Sequence, residues 1–212
     1  MSDSTQFVFG YGSLVVGAPI LPARLRGHRR VWGVAMDNAV DIRGYKSYRS
    51  STDGTRPAVF VAFLDIVRDA SATTDGALLP ADDALLRRLD ARERNYDRVG
   101  VTDHIDGAPP GTVWAYRGSA DGRARLARGR RDGTAVVAVD YIEAVRAALA
   151  VLGSEDDVDP GPLALMRLDR VEVPPVPVLT RAEGEMDRAA RAEAVGEDRG
   201  GEAPARRRTP RR

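Results

Sequence analysis

Apolar residues in this chain recur with two periods. Short runs of β-branched and aromatic residues, bounded by glycine, proline and polar clusters, predict strands over residues 7–9, 29–36, 57–66, 97–105, 112–117 and 168–173. Two longer stretches carry a helical period. In residues 140–153, Ile142, Val145, Leu149 and Leu152 share one face, with Asp140 available as a cap and Gly153 as a stop. Residues 80–93 open on a proline followed by acids, the chemistry of a helix start. At about 100° per residue, Leu85, Leu86 and Leu89 fall near 0°, 100° and 40° on the helical wheel, and position 93 falls near 80°. A leucine is expected inside that stripe, and the chain has Glu93.

More strands than helices, irregularly interleaved, predict an α+β fold. The expected architecture is a small mixed β-barrel with packed helices over residues 1–180. The character changes from residue 181 onward. Residues 183–212 are charged, rich in alanine, arginine and glycine, and lack aromatics, which predicts a disordered tail. The tail ends in a basic run, Arg206 to Arg212, for which solvation is a simpler account than nucleic-acid binding.

Composition narrows the chemistry. The 212 residues carry a net charge of +1, two histidines and no cysteine. Without cysteine there are no disulfides, thiolate nucleophiles or cysteine-based metal sites. His28 and His104 are far apart in sequence and lack metal-ligand spacing. No apolar run reaches the roughly 20 residues of a membrane-spanning helix, and no signal-peptide pattern opens the chain, so no membrane association and a cytoplasmic location are expected. Lys46 is the single lysine, and arginine supplies every other basic side chain of the Lys and Arg set.

Two places carry candidate chemistry. Val8-Phe9-Gly10-Tyr11-Gly12-Ser13-Leu14 reads as a strand that breaks into a glycine-containing loop. Successive N–H groups in such a loop can cradle a carboxylate or an oxyanion. The same residues also fit an ordinary strand-to-loop turn. A dinucleotide loop, with Asp37 as ribose partner, fits less well. Its third glycine is out of register at Gly17, and Pro19 and Pro22 interrupt the helix it needs. Ser13 as a nucleophile lacks the Gly-x-Ser-x-Gly context and would have to recruit His28 or His104. The second place is Glu93. If the helix reaches it, burial and the negative end of the helix dipole both favour its neutral form, which suits a general base. If the helix stops at residue 92, Glu93 is a solvated end residue. Tyr116, on the strand with Trp114, is a further candidate if its hydroxyl turns into a pocket, and Tyr96 reads as a ring packed beside the helix end.

These residues resemble a family. Val8 to Leu14 resembles the Tyr-Gly-Ser-Leu signature of the γ-glutamylcyclotransferases, including the ChaC-type branch. Leu25-Arg26-Gly27-His28-Arg29-Arg30-Val31-Trp32 is similar to the basic segment that follows in that branch, with His28 where a tyrosine is usual. Residues 56–63 resemble its next strand. Leu89-Asp90-Ala91-Arg92-Glu93-Arg94-Asn95-Tyr96 resembles its Leu-Asp-x-x-Glu segment, whose glutamate is the base. The likeness runs over residues 7–180. It implies release of 5-oxoproline from a small γ-glutamyl compound without metal or redox cofactor. Glu93 is then the catalytic residue, and Val8, Phe9, Gly10, Tyr11, Gly12, Ser13, Leu14 and Tyr116 are the substrate-binding set. A non-catalytic binding or scaffold protein that keeps the pocket is the alternative from another class. The leaving amine and the oligomeric state are not written in the sequence.

Overall fold

The computed structural model describes residues 5–16, 21–154 and 158–174. The expected tail and the end of the 1–180 domain lie outside the described residues. In chain order the elements begin with β1 (Gln6–Gly10), a short 3-10 turn (Ser13–Val15), β2 (Leu21–Asp37), β3 (Lys46–Ser50), β4 (Phe60–Ala81) and α1 (Asp83–Arg92). They continue with β5 (Tyr96–Gly100), β6 (Thr112–Gly118), α2 (Ala120–Arg131), β7 (Ala135–Ala138), α3 (Val139–Val151), β8 (Ala164–Met166) and β9 (Leu168–Glu172).

The fold is α+β. One mixed sheet runs β5-β6-β1-β4-β7-β8, with β2 paired along β4, and β3 pairs with β9 in a separate ribbon. Among the described residues no ladder joins β5 to β8. β1 lies between β4, antiparallel, and β6, parallel. Ile142, Val145 and Leu149 of α3 are almost fully buried against a core that includes Phe9, Leu64 and Ile66. Burying each such side chain contributes roughly 1.5–3 kcal/mol.

Several boundaries differ from expectation for physical reasons. The helix expected from residue 80 starts at Asp83. Pro80 belongs to β4, and Asp82 caps the helix by accepting from the Leu85 N–H at 2.6 Å. Asp140 lies in the first turn of α3; the cap position is Ala138, without a side-chain bond. The strand expected over 97–105 stops at Gly100, and Thr102–His104 form a 3-10 turn. The two histidines, distant in sequence, are neighbours in space. A bridge between Leu25 and Ile105 brings their rings to 5.2 Å, edge to face.

α2 has no apolar stripe. Leu126 is its only fully buried large side chain, and it docks through polar bonds. Arg123 Nε donates to Asp65 Oδ2 at 2.9 Å, and Arg125 donates to the Ala35 carbonyl and to Asn95 Oδ1, both at 2.8 Å. A Cβ at Gly129 would sit 2.8 Å from Phe60 Cβ, so glycine sets how closely the helix approaches β4.

Candidate functional site

The site begins with a gap in the sheet. On the side of β4 that takes β7 and β1, β7 pairs with Phe60 and Val61, and β1 pairs with residues 77–81. Between them, among the described residues, β4 is paired only with β2. Buried backbone groups need partners, and here two tyrosines supply them. The Tyr96 hydroxyl donates to the Leu64 carbonyl at 2.7 Å, and the Leu64 N–H donates to the Tyr141 hydroxyl at 3.4 Å. The gap is thereby satisfied without a strand, and a cavity remains.

The loop after β1 forms one wall. Val15 N–H donates to the Gly12 carbonyl at 3.0 Å, closing a tight turn. Gly12 has ordinary negative φ; a Cβ there would meet the Tyr141 hydroxyl at 3.3 Å, so the glycine serves close approach and not a left-handed turn. Tyr11 is anchored by donating to the Tyr116 carbonyl, and its own carbonyl accepts from Arg30 Nε at 2.9 Å.

Glu93 forms the facing wall. α1 ends at Arg92, and Glu93 is its cap residue, with its N–H still bonded to the Leu89 carbonyl at 2.8 Å. The boundary therefore matches the shorter helix, but the solvated carboxylate that went with it is absent: the side chain is only 14% exposed. Arg92 Nε forms an ion pair with Oε1 at 3.1 Å, yet the contact lacks hydrogen-bond geometry, and Oε1 is buried without a hydrogen-bond partner among the described residues. Burial pushes the carboxyl above the usual glutamate range, against the opposing pull of Arg92, Lys46 and Arg170. Burial also raises the phenols of Tyr11, Tyr96, Tyr116 and Tyr141, which therefore stay protonated at neutral pH.

The cavity is lined by Tyr11, Gly12, Ser13, Leu14, Leu64, Glu93, Tyr96, Tyr116 and Tyr141 and has a volume of about 30 Å³. Arg92 Nη2 also donates to Ser13 Oγ at 3.4 Å, so this half-exposed guanidinium links the two walls. A larger open cleft of about 660 Å³ is lined in part by Gln6, Asp83 and Arg88. Its Asp83 carboxylate already accepts from Gln6 at 2.7 Å, so that group is not waiting for a donor.

Of the residues nominated from sequence, Glu93, Tyr11, Gly12, Ser13, Leu14 and Tyr116 meet at the cavity. Val8, Phe9 and Gly10 stand behind it in β1, with Val8 and Phe9 in the core. The Tyr116 hydroxyl turns toward α1, donating to Asp90 Oδ1 at 2.8 Å, while its ring lines the cavity. Tyr96, read as a packing ring, also lines the cavity and serves the gap. Leu64 and Tyr141 carried no signal, since their roles arise from the gap in the sheet.

No protein-family model and no curated protein matches the chain. Among solved structures it is similar to a γ-glutamyl cyclotransferase, at 13% identity and TM-score 0.37, covering 76% of this chain and 94% of that one. It is also similar to a yeast γ-glutamyl cyclotransferase specific to glutathione, at 18% identity and TM-score 0.48, covering 74% and 91%. A third is an uncharacterized protein from Homo sapiens, at 15% identity and TM-score 0.37, covering 76% and 94%.

Proposed function

We propose that this chain is a γ-glutamylcyclotransferase-like lyase that cyclises the γ-glutamyl group of an amide or peptide to 5-oxoproline and releases the amine. One observation carries the reading. Among the described residues a buried carboxylate oxygen, Glu93 Oε1, has no hydrogen-bond donor, and Glu93 shares a cavity with the Tyr11–Leu14 loop. A buried acceptor left unpaired costs roughly 1–3 kcal/mol, and the α-ammonium of a γ-glutamyl group is a donor of the right charge.

In this reading Glu93 takes a proton from the α-ammonium. The freed amine attacks the γ-carbonyl carbon of the same molecule, forming the ring C–N bond. Amides of the Gly12–Leu14 loop hold the resulting oxyanion. The Glu93 carboxyl passes its proton to the leaving nitrogen and, a carboxylate again, takes the second proton from the ring nitrogen. The bond to the leaving nitrogen then breaks, and that second proton goes to the departing amine, which leaves as an ammonium. One carboxylate thus closes the proton balance, and holding a folded conformer supplies much of the rate. The cavity as it stands has room for about one water. Substrate therefore enters by displacing Arg92 from between Ser13 and Glu93, and the guanidinium turns to the substrate's α-carboxylate.

The test is incubation with a panel of γ-glutamyl amino acids, peptides and amines, with 5-oxoproline as the readout. Release from at least one member is expected. Failure with every member, while the folded protein still binds γ-glutamyl ligands, replaces the lyase with the binding-protein reading.

A further inference from the structure

Of the 32 lysine and arginine side chains, Lys46 is the only lysine. A chain this strongly biased toward arginine keeps its one compact ammonium in an unusual place. Lys46 opens β3, and its Nζ rests 4.1 Å from the centre of the Phe63 ring and 5.5 Å from that of Tyr45. Among the described residues it has contact with ring faces and no ion pair within bonding distance. Both rings lead to the cavity. Phe63 meets Tyr141 edge-on at 5.2 Å, and Tyr141 lines the cavity with Glu93. The Tyr45 hydroxyl accepts from Asn95 Nδ2 at 3.3 Å, two residues beyond Glu93, and Arg94 lies 5.9 Å from the same ring. The residue that leads into β3 thus packs against the turn that follows Glu93.

Among the described residues three cations act on Glu93: Arg92 from α1, Lys46 from β3 and Arg170 from β9. The other titratable groups around it are the phenols Tyr11, Tyr45, Tyr96, Tyr116 and Tyr141, all raised by burial and neutral. Arg92 is 44% exposed and spans the mouth, and Arg170 is 49% exposed and paired with Glu172. Lys46, half-buried, is the cation seated on ring faces. Burial lowers its ammonium to about 8, and the Glu93 carboxylate acts to raise it. A lysine presents a point charge to a ring face, where an arginine presents a longer planar fork.

We propose that Lys46 is a positioning residue for Glu93: seated on Phe63 behind the cavity, it supplies the fixed positive charge that the carboxylate keeps when Arg92 leaves to admit substrate. The inference rests on the reading of Glu93 as the base, but its test does not need turnover. Glutamate δ-carbon NMR, with the Glu93 signal assigned by its loss in Glu93→Gln, gives the titration midpoint of Glu93 directly. In Lys46→Met and Lys46→Gln the midpoint is expected to rise by about one pH unit, as for loss of a unit charge several Å away at an effective dielectric near 20. In Lys46→Arg it stays close to wild type. Acetylating the folded wild-type protein neutralises the single lysine without mutation and raises the midpoint likewise. Acetylated Lys46→Arg, modified at its amino terminus alone, does not shift. If turnover occurs, the acid limb of kcat/KM moves the same way. A midpoint unmoved by both substitution and acetylation overturns the proposal. Absence of 5-oxoproline with a moved midpoint overturns the lyase reading and leaves this one standing.

Discussion

Glu93 is a residue in the wrong company, and its surroundings set two measurable consequences. Its folded-state pKa is raised, with burial as the largest cause. The protonated form is therefore favoured by folding. The stability this gives is fully present below the unfolded value and is lost as pH rises through the folded one. Glu93→Gln removes the buried charge, so it should raise the melting temperature at neutral pH, with the gain vanishing in acid. Turnover should respond oppositely, falling roughly 10²–10⁴-fold for the loss of a general base, with circular dichroism unchanged. Near wild-type rates in this variant would sink the mechanism. In the wild type, kcat/KM should climb with pH along a limb displaced above the ordinary carboxylate range. Residues of this kind were legible because they break a local rule: an acid stands where the wheel calls for leucine. Tyr141 breaks no such rule: an aromatic within a helix gives no sign that its hydroxyl serves the backbone of β4.

Elements were legible where their stability is local. α3 announces itself by an apolar face, and β1 by a run of β-formers. α2 was missed because its arginines reach backbone carbonyls and Asp65, partners that no window of sequence displays. The later half of β4, with Asp69, Ser71, Thr73 and Thr74, lies beyond the strand expected over 57–66; it is a strand because β2 pairs with it across the register shift between Arg26 and His28. The central stretch of β4 relies on tyrosine hydroxyls in place of a strand. Tyr96→Phe removes the donor to the Leu64 carbonyl at almost constant shape. It should cost about 1–3 kcal/mol in urea unfolding, the penalty for stranding a buried acceptor. An unchanged midpoint would mean that water takes the hydroxyl's place.

For the whole molecule, composition drew a line near residue 181 that the described residues do not reach. The segment beyond it lacks the apolar content to offset an ordering cost of roughly 1–2 kcal/mol per residue. Truncation after Arg181 should leave melting temperature and 5-oxoproline release unchanged. A drop of many degrees would show that the tail docks. The sheet order also has a bearing on biosynthesis. The strand that launches the site loop precedes the other described strands, yet Gln6 pairs with Ala81 on one side and Thr112 on the other. Both neighbours leave the ribosome long after it does. A nascent chain that ends before β6 holds its loop on a strand with one flank bare, in a topology dominated by distant pairings that fold slowly. β1 therefore keeps a flank to shield until β6 has emerged, β3 waits longer still for β9, and the candidate cavity, which also needs Tyr141, is assembled only after most of the described chain has been made.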